Sequence, residues 1–280
     1  MNGLDERTKL LLFTDIVGAH FGTEDFCLFL HALIRMHRPR TIVELGTGLG
    51  ITALWMALAA KRNQLGHVWT VDDFEFFGRR ESPVEEIVAK LRHVDASLET
   101  STAEEYYSGI SRLFGLDPHL TFVKSKIALN EVGHFSGYPF SEKSIDLLFS
   151  DFKHGGIEIL AILGHFLPRM ASSSSIFIHS ASTVWTSYLL LEQLTSQLNA
   201  GRIPKVLQDS CSVDLRDFVR CHRLVLVHLT ECKEHSQNSA AWLKIEPVDL
   251  LPYPRTAMRG MNRQEISGKQ KEDRTQSCVS

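Results

Sequence analysis

The sequence predicts an α/β protein with a doubly wound, mostly parallel, seven-stranded sheet and a helical addition at the N-terminus. Three observations indicate this fold class. Short segments rich in β-branched residues alternate with longer segments of helical periodicity. Three glycines within five residues follow the first of the short segments. The chain has 280 residues with 44% hydrophobic content, which is enough for one large α/β domain.

The first 39 residues are expected to form the helical addition. Leu10, Phe13 and Ile16 fall on one face of a first helix, and apolar residues between 26 and 34 mark a second helix. The second helix should stop before Pro39, because a proline disfavours the helical conformation of the residue that precedes it.

The predicted strands share β-branched and apolar residues and are separated by helical or turn-forming segments. They lie at residues 41–45, 67–72, 120–123, 145–151, 175–179, 205–207 and 222–229. Helices are expected at 51–62, 84–93, 103–114, 157–167 and 184–198. Alternation of this kind is typical of a parallel sheet covered on both faces.

The last two predicted strands lack a helix-sized connection, so an antiparallel edge hairpin is expected. The main domain would then span residues 40–232, followed by a C-terminal extension at 233–257. The polar residues 258–280 predict a disordered tail.

Composition narrows the range of partners. The net charge of -3 does not suggest a nucleic-acid partner, which usually requires a basic surplus. Five scattered cysteines without C-x-x-C spacing predict reduced thiols in the cytoplasm. A polar N-terminus and the lack of a long apolar stretch predict no membrane association. A small-molecule substrate is the expected partner, and a homodimer stays open.

The glycine loop is the strongest functional signal. Gly46, Gly48 and Gly50 follow the first predicted strand, where doubly wound folds bind ligands. Residues 48–53 also fit a relaxed dinucleotide fingerprint, with Asp72 at a suitable distance for a ribose. However, Glu44 lies just before the glycines, where it would repel a pyrophosphate and attract a cationic cofactor.

Residues 43–50, Val-Glu-Leu-Gly-Thr-Gly-Leu-Gly, resemble the first motif of class I S-adenosylmethionine-dependent methyltransferases, a Rossmann-like family. The resemblance implies that Glu44, Thr47 and the glycines hold the methionine part of S-adenosyl-L-methionine. It implies that Asp72 binds the ribose, with Asp73 as the alternative, and that Ser125 lies near the adenine.

Residues 145–154 resemble the fourth-strand segment of a methyltransferase subgroup that acts on small molecules. The resemblance implies that Asp151 lies beside the methyl donor and that His154 faces the same cleft. The fifth strand departs from the family, because His179 is followed by Ser180 where the family has an aspartate.

These residues predict a methyltransferase that acts on a small molecule, with an oxygen as the expected acceptor atom and a nitrogen or carbon as the alternatives. His154 and His179 are the candidate catalytic bases, since the pKa of histidine is close to neutrality. No metal is expected, because serine is a poor replacement for a carboxylate ligand of magnesium. An NAD(P)-dependent oxidoreductase and a non-catalytic binding module of the same fold are the alternatives.

Overall fold

The computed structural model describes residues 4–21, 24–78, 83–98, 102–127, 144–181, 185–211, 213–230 and 239–248. The tail predicted at 258–280 lies outside these ranges. Two N-terminal helices come first, α1 (Glu6–Phe21) and α2 (Glu24–His37). Helix α2 is followed by Arg38, whose φ of 52° is left-handed, and by Pro39, as the sequence predicts.

The sheet has seven strands. They are β1 (Thr41–Leu45), β2 (His67–Asp72), β3 (Leu120–Lys124), β4 (Ile145–Ser150), β5 (Met170–His179), β6 (His222–Thr230) and β7 (Ser239–Pro247). Their spatial order is β3-β2-β1-β4-β5-β7-β6. Strands β1 to β5 pair in parallel, whereas β7 is antiparallel to both β5 and β6. The predicted fold class, a doubly wound and mostly parallel seven-stranded sheet, is therefore confirmed.

Helices cover both faces of the sheet. They are α3 (Ile51–Asn63), α4 (Val84–Val94), α5 (Ala103–Leu113), α6 (Gly156–Phe166), α7 (Trp185–Asn199), α8 (Lys205–Gln208) and α9 (Arg216–Cys221). Each face has its own hydrophobic core. One core contains α1 to α5, and the other contains α6 to α9. None of the helices in the described ranges is long and apolar enough to cross a bilayer.

The strand predicted at residues 205–207 is wrong, because this segment forms the short helix α8. The amides of Leu207 and Gln208 bond to the carbonyl of Pro204, which starts the helix. Leu207 is buried while Val206 is 56% exposed, so a three-residue apolar run was too short to distinguish a helix from a strand.

The seventh strand is instead β7, which lies beyond the domain boundary expected at residue 232. It is inserted between β5 and β6, so the sheet continues to Pro247. The predicted edge hairpin has the expected antiparallel pairing, but its second strand is β7. The sequence did not predict this strand, because polar residues such as Lys244 and Glu246 interrupt its apolar pattern.

Candidate functional site

The glycine loop lies at the carboxyl end of β1, and its three glycines have different surroundings. At Gly46, where φ is 87°, an added Cβ would lie 2.4 Å from the carbonyl oxygen of Asp151. At Gly50, the N-cap of α3, it would lie 3.2 Å from the side chain of Ile110. At Gly48, with φ of 53°, it would meet no atom within 4 Å. Gly46 therefore allows β1 to approach the loop after β4, and Gly48 is the glycine that faces open space.

Asp72 ties the end of β2 to this loop. Its Oδ2 accepts hydrogen bonds from the amides of Thr47 at 2.8 Å and Gly48 at 3.4 Å, and its Oδ1 accepts from the amide of Phe74 at 2.8 Å. Burial raises the pKa of the Asp72 carboxyl, although these amide donors oppose the shift. The neighbouring Asp73 is half-buried, and its Oδ1 caps the amide of Glu75 at 3.0 Å.

Glu44 lies beneath the loop and is only 1% exposed. Its carboxylate accepts a short hydrogen bond from the hydroxyl of Thr70, its neighbour on β2. The Thr70 hydroxyl is in turn 2.7 Å from that of Thr47. Burial raises the pKa of the Glu44 carboxyl well above its usual value. The negative charges of Asp151 and Asp72 raise this pKa further, whereas the hydrogen bond from Thr70 lowers it. Glu44 thus contacts Thr70 and does not line the cleft.

Two tyrosines of α5 hold the loop from the other side. The hydroxyl of Tyr107 donates to the carbonyl of Gly48 at 2.6 Å, and that of Tyr106 donates to Leu49 at 3.0 Å. Burial raises the pKa of both phenols above the usual value. From the sequence, these residues could pack in the core or shape a substrate pocket. Their bonds to the loop were not predictable, because nothing local relates α5 to a loop almost sixty residues earlier.

The loop forms one wall of a cleft of about 720 Å³. Most of the other lining residues come from the ends of β2, β3 and β4, as expected for a doubly wound sheet. They include Asp72, Asp73, Lys126, Asp151 and His154. Helix α1 adds Val17, so the N-terminal addition contributes to the cleft.

Ser125 joins the ends of β3 and β2 and is not among the residues that line the cleft. Its amide donates to the backbone carbonyl of Asp72 at 2.8 Å, and the next two residues, Lys126 and Ile127, line the cleft.

Asp151 and the two candidate histidines come together at the ends of β4 and β5. Nδ1 of His179 is 2.9 Å from Oδ1 of Asp151, and Nε2 of His154 is 3.9 Å from the same oxygen. Burial alone would raise the pKa of the Asp151 carboxyl, but the charge and hydrogen bond of His179, with a contribution from His154, lower it. The arrangement can hold an ionised carboxylate beside an imidazole.

The two histidines differ in access. His154 lines the large cleft, whereas His179 is 2% exposed and packs against Phe26 of α2 and Phe149 of β4. His179 also borders a second, smaller pocket of about 190 Å³, which Phe26 and Phe29 line as well.

Within the described ranges, no group of three or more histidine, cysteine or acidic side chains is arranged to hold a metal ion. Among the described cysteines, Cys211 and Cys221 are free thiols, and Sγ of Cys27 lies 3.6 Å from the hydroxyl of Thr52.

Residues 43–181 match the model of a family described as a methyltransferase domain. Among solved structures, an O-methyltransferase from Bacillus cereus in complex with SAH has 13% identity and a TM-score of 0.51, with 85% of this chain and 91% of that chain covered.

The O-methyltransferase TomG from Streptomyces achromogenes, in complex with SAM, has 14% identity and a TM-score of 0.43, over 84% of this chain and 89% of that one. A methyltransferase from Geobacter sulfurreducens has 14% identity and a TM-score of 0.44, over 85% and 89%. A search of curated protein sequences finds no significant match.

Proposed function

Because the chain belongs to the class I S-adenosylmethionine-dependent methyltransferases, we propose that it methylates an oxygen atom of a small molecule. One observation carries the proposal. Asp151 lies in the wall of the cleft, with His179 at 2.9 Å and His154 at 3.9 Å from the same carboxylate oxygen. A carboxylate paired with imidazoles can accept and stabilise the proton that an alcohol or phenol loses.

The charge of the cleft suits a cationic nucleoside. Among the described residues, the acidic side chains that line it outnumber the lysines: Asp72, Asp73, Glu75 and Asp151 against Lys126 and Lys153. Glu44 lies just beneath. A pyrophosphate would meet these carboxylates at close range, which disfavours the dinucleotide alternative. We assign Asp72 to the ribose hydroxyls, because its Oδ1 accepts a single amide and keeps a lone pair.

The remaining cofactor contacts follow from the loop. We assign the wall around Gly48 to the methionine part, since this glycine faces open space, and the end of β3 near Ser125 to the adenine. When bound, S-adenosylmethionine supplies a methyl group. This group needs no further activation, because the sulfur that carries it is positively charged.

Each side chain at the acceptor end has a distinct role in the proposal. His154 takes the proton from the acceptor, because it is the histidine that lines the large cleft. Asp151 stabilises the imidazolium that forms. His179 holds Asp151 in place and shapes the small pocket with Phe26 and Phe29, which suits a planar, apolar acceptor.

Calorimetric titration of the purified chain with S-adenosylmethionine, S-adenosylhomocysteine and NAD tests the cofactor assignment. We expect both sulfur compounds to bind and NAD not to bind. Binding of NAD alone would contradict the proposal.

Transfer of a labelled methyl group from S-adenosylmethionine to a panel of phenols, aliphatic alcohols and amines tests the reaction. We expect His154→Ala to lower kcat by about a hundredfold with little change in cofactor Kd, as is typical of a lost general base. The matched control is His93→Ala on the exposed face of α4. An unchanged kcat in His154→Ala would remove this residue from the mechanism, and transfer to amines alone would exclude O-methylation.

A further inference from the structure

Thr70 connects the buried carboxyl group of Glu44 to the cleft wall through hydroxyl groups. It lies directly beside Glu44 in the parallel register of β1 and β2, and both side chains are on the sheet face that α3 covers. The Thr70 hydroxyl donates to Oε2 of Glu44 and lies 2.7 Å from the hydroxyl of Thr47. Thr47 lines the cleft, whereas Glu44 and Thr70 do not.

The number of protons fixes the direction of these hydrogen bonds. A threonine hydroxyl has one proton to donate. While Thr70 donates its proton to the ionised Glu44, the contact between the hydroxyls requires Thr47 to donate to Thr70. The Thr47 oxygen then has only lone pairs left for the cleft. A neutral Glu44 lets the chain reverse, and Thr47 can then donate a proton toward the cleft.

The groups around Glu44 determine which form is present. The charges that act on it are two carboxylates, Asp72 at the end of β2 and Asp151 after β4. The charge of Glu44 also contributes to the raised pKa of the Tyr107 phenol on α5. Among the described residues, Glu44 forms no ion pair with a basic side chain. A cation bound beside Thr47 would therefore act on a carboxylate that has no ion-pair partner, although Lys126 and Lys153 also line the cleft.

We propose that Thr70 is a positioning residue that transmits the charge of Glu44 to the Thr47 hydroxyl, which accepts a hydrogen bond from the ammonium group of the cofactor. Binding of the ammonium then favours ionised Glu44, and a proton leaves the protein. This inference rests on the proposed function, because it assumes that the methionine part of the cofactor lies at the glycine loop.

Calorimetry in buffers of different ionisation enthalpy measures the number of protons released on binding. For the wild-type chain we expect release of a fraction of one proton, with S-adenosylmethionine and S-adenosylhomocysteine alike, because both have the ammonium group. Methylthioadenosine lacks that group, so its binding should release none.

Thr70→Val keeps the shape of the side chain but removes the hydroxyl. We expect about tenfold weaker binding of both ammonium-bearing compounds and loss of the proton release, with the affinity for methylthioadenosine unchanged. Thr70→Ser should restore both properties. Thr14→Val is the matched control, since Thr14 is also a buried threonine that bridges two partners, Leu10 and Trp55, outside the cleft lining.

The outcomes separate the two proposals. A wild-type chain that binds neither sulfur compound overturns the proposed function and this inference with it. A wild-type chain that binds both, together with a Thr70→Val variant of equal affinity and equal proton release, overturns the inference alone. Equal weakening of methylthioadenosine in Thr70→Val also overturns it, because the effect would then be structural.

Discussion

Gly46, Gly48 and Gly50 all have positive φ, yet each meets a different neighbour, and this determines what a substitution does. The sequence predicts a ligand-binding role for all three. The structure gives a packing reason for Gly46, because the Asp151 carbonyl blocks the place of a Cβ, and a weaker one for Gly50, where a Cβ would contact the Ile110 side chain at 3.2 Å. The three glycines differ only in their contacts with distant segments, such as that of Gly46 with Asp151. The motif alone therefore does not show which glycine is needed for packing.

We therefore expect Gly46→Ala and Gly48→Ala to fail in different ways. Gly46→Ala places a Cβ 2.4 Å from the Asp151 carbonyl and should lower the free energy of unfolding by several kcal/mol. Gly48→Ala meets no atom within 4 Å and should cost about 1 kcal/mol from its left-handed φ alone, but it should weaken cofactor binding. Urea denaturation and calorimetry measure the two effects. Equal destabilisation by both variants would contradict this account.

At the scale of elements, α5 acts on the site by holding the glycine loop. Tyr107→Phe removes the 2.6 Å bond to the Gly48 carbonyl while keeping the ring stacked on Phe122. We expect a loss of about 1 kcal/mol in unfolding free energy and a measurable rise in cofactor Kd. Tyr106→Phe, which loses only the bond to Leu49, is the control and should change Kd less. The reverse order would show that Gly48 is not the sensitive point of the loop.

Helix α6 contains a histidine that makes stability depend on pH. Burial, followed by the charge of Arg169, lowers the pKa of His165 to about 4. Between that value and 6.5 the unfolded chain binds a proton that the folded chain does not, so stability is lost as the pH falls through this window. We expect the loss to be about 1–2 kcal/mol, since the ring is only partly buried.

Urea denaturation at pH 7 and pH 4.5 measures this dependence. His165→Gln should lose less stability between the two pH values than the wild-type chain does. The exposed His93→Gln on α4 should behave as wild type. An identical fall in all three proteins would assign the acid sensitivity to other groups.

At the scale of the whole molecule, the part of the sheet that forms the cleft was predictable and its far edge was not. Strands β1 to β4 lie where their β-branched patterns predict them, and Glu44, Asp72, Asp151 and His179 lie at or next to the ends of β1, β2, β4 and β5, so this common edge followed from the sequence. The start of β5 did not, because the strand begins at Met170 in a serine-rich segment that the sequence predicts as a turn before residue 175. Strand β7 has Ala, Lys and Glu at alternate or neighbouring positions, and its place between β5 and β6 depends on pairing over a long sequence distance. The pairing of Asp151 with His179 likewise arises only when β4 and β5 lie side by side.

Truncation tests the extent of the domain. A chain that ends at residue 232 lacks β7, so β6 has no neighbour in the sheet and β5 has an open edge. We expect this chain to show no cooperative thermal transition. A chain that ends at residue 248 keeps all seven strands and should melt within a few degrees of the full chain. Cooperative unfolding of the shorter chain would show that the domain folds without β7.

The position of β7 also has a consequence for synthesis on the ribosome. The residues that form the glycine loop, Asp72 and Asp151 emerge first, but the strand that joins β6 to the rest of the sheet is translated after both of its neighbours. Until residue 247 has left the exit tunnel, β5 and β6 both present unpaired backbone edges, which can pair with other chains. The nascent protein thus carries the glycine loop and the carboxylates of the cleft some time before its sheet edges are protected against aggregation.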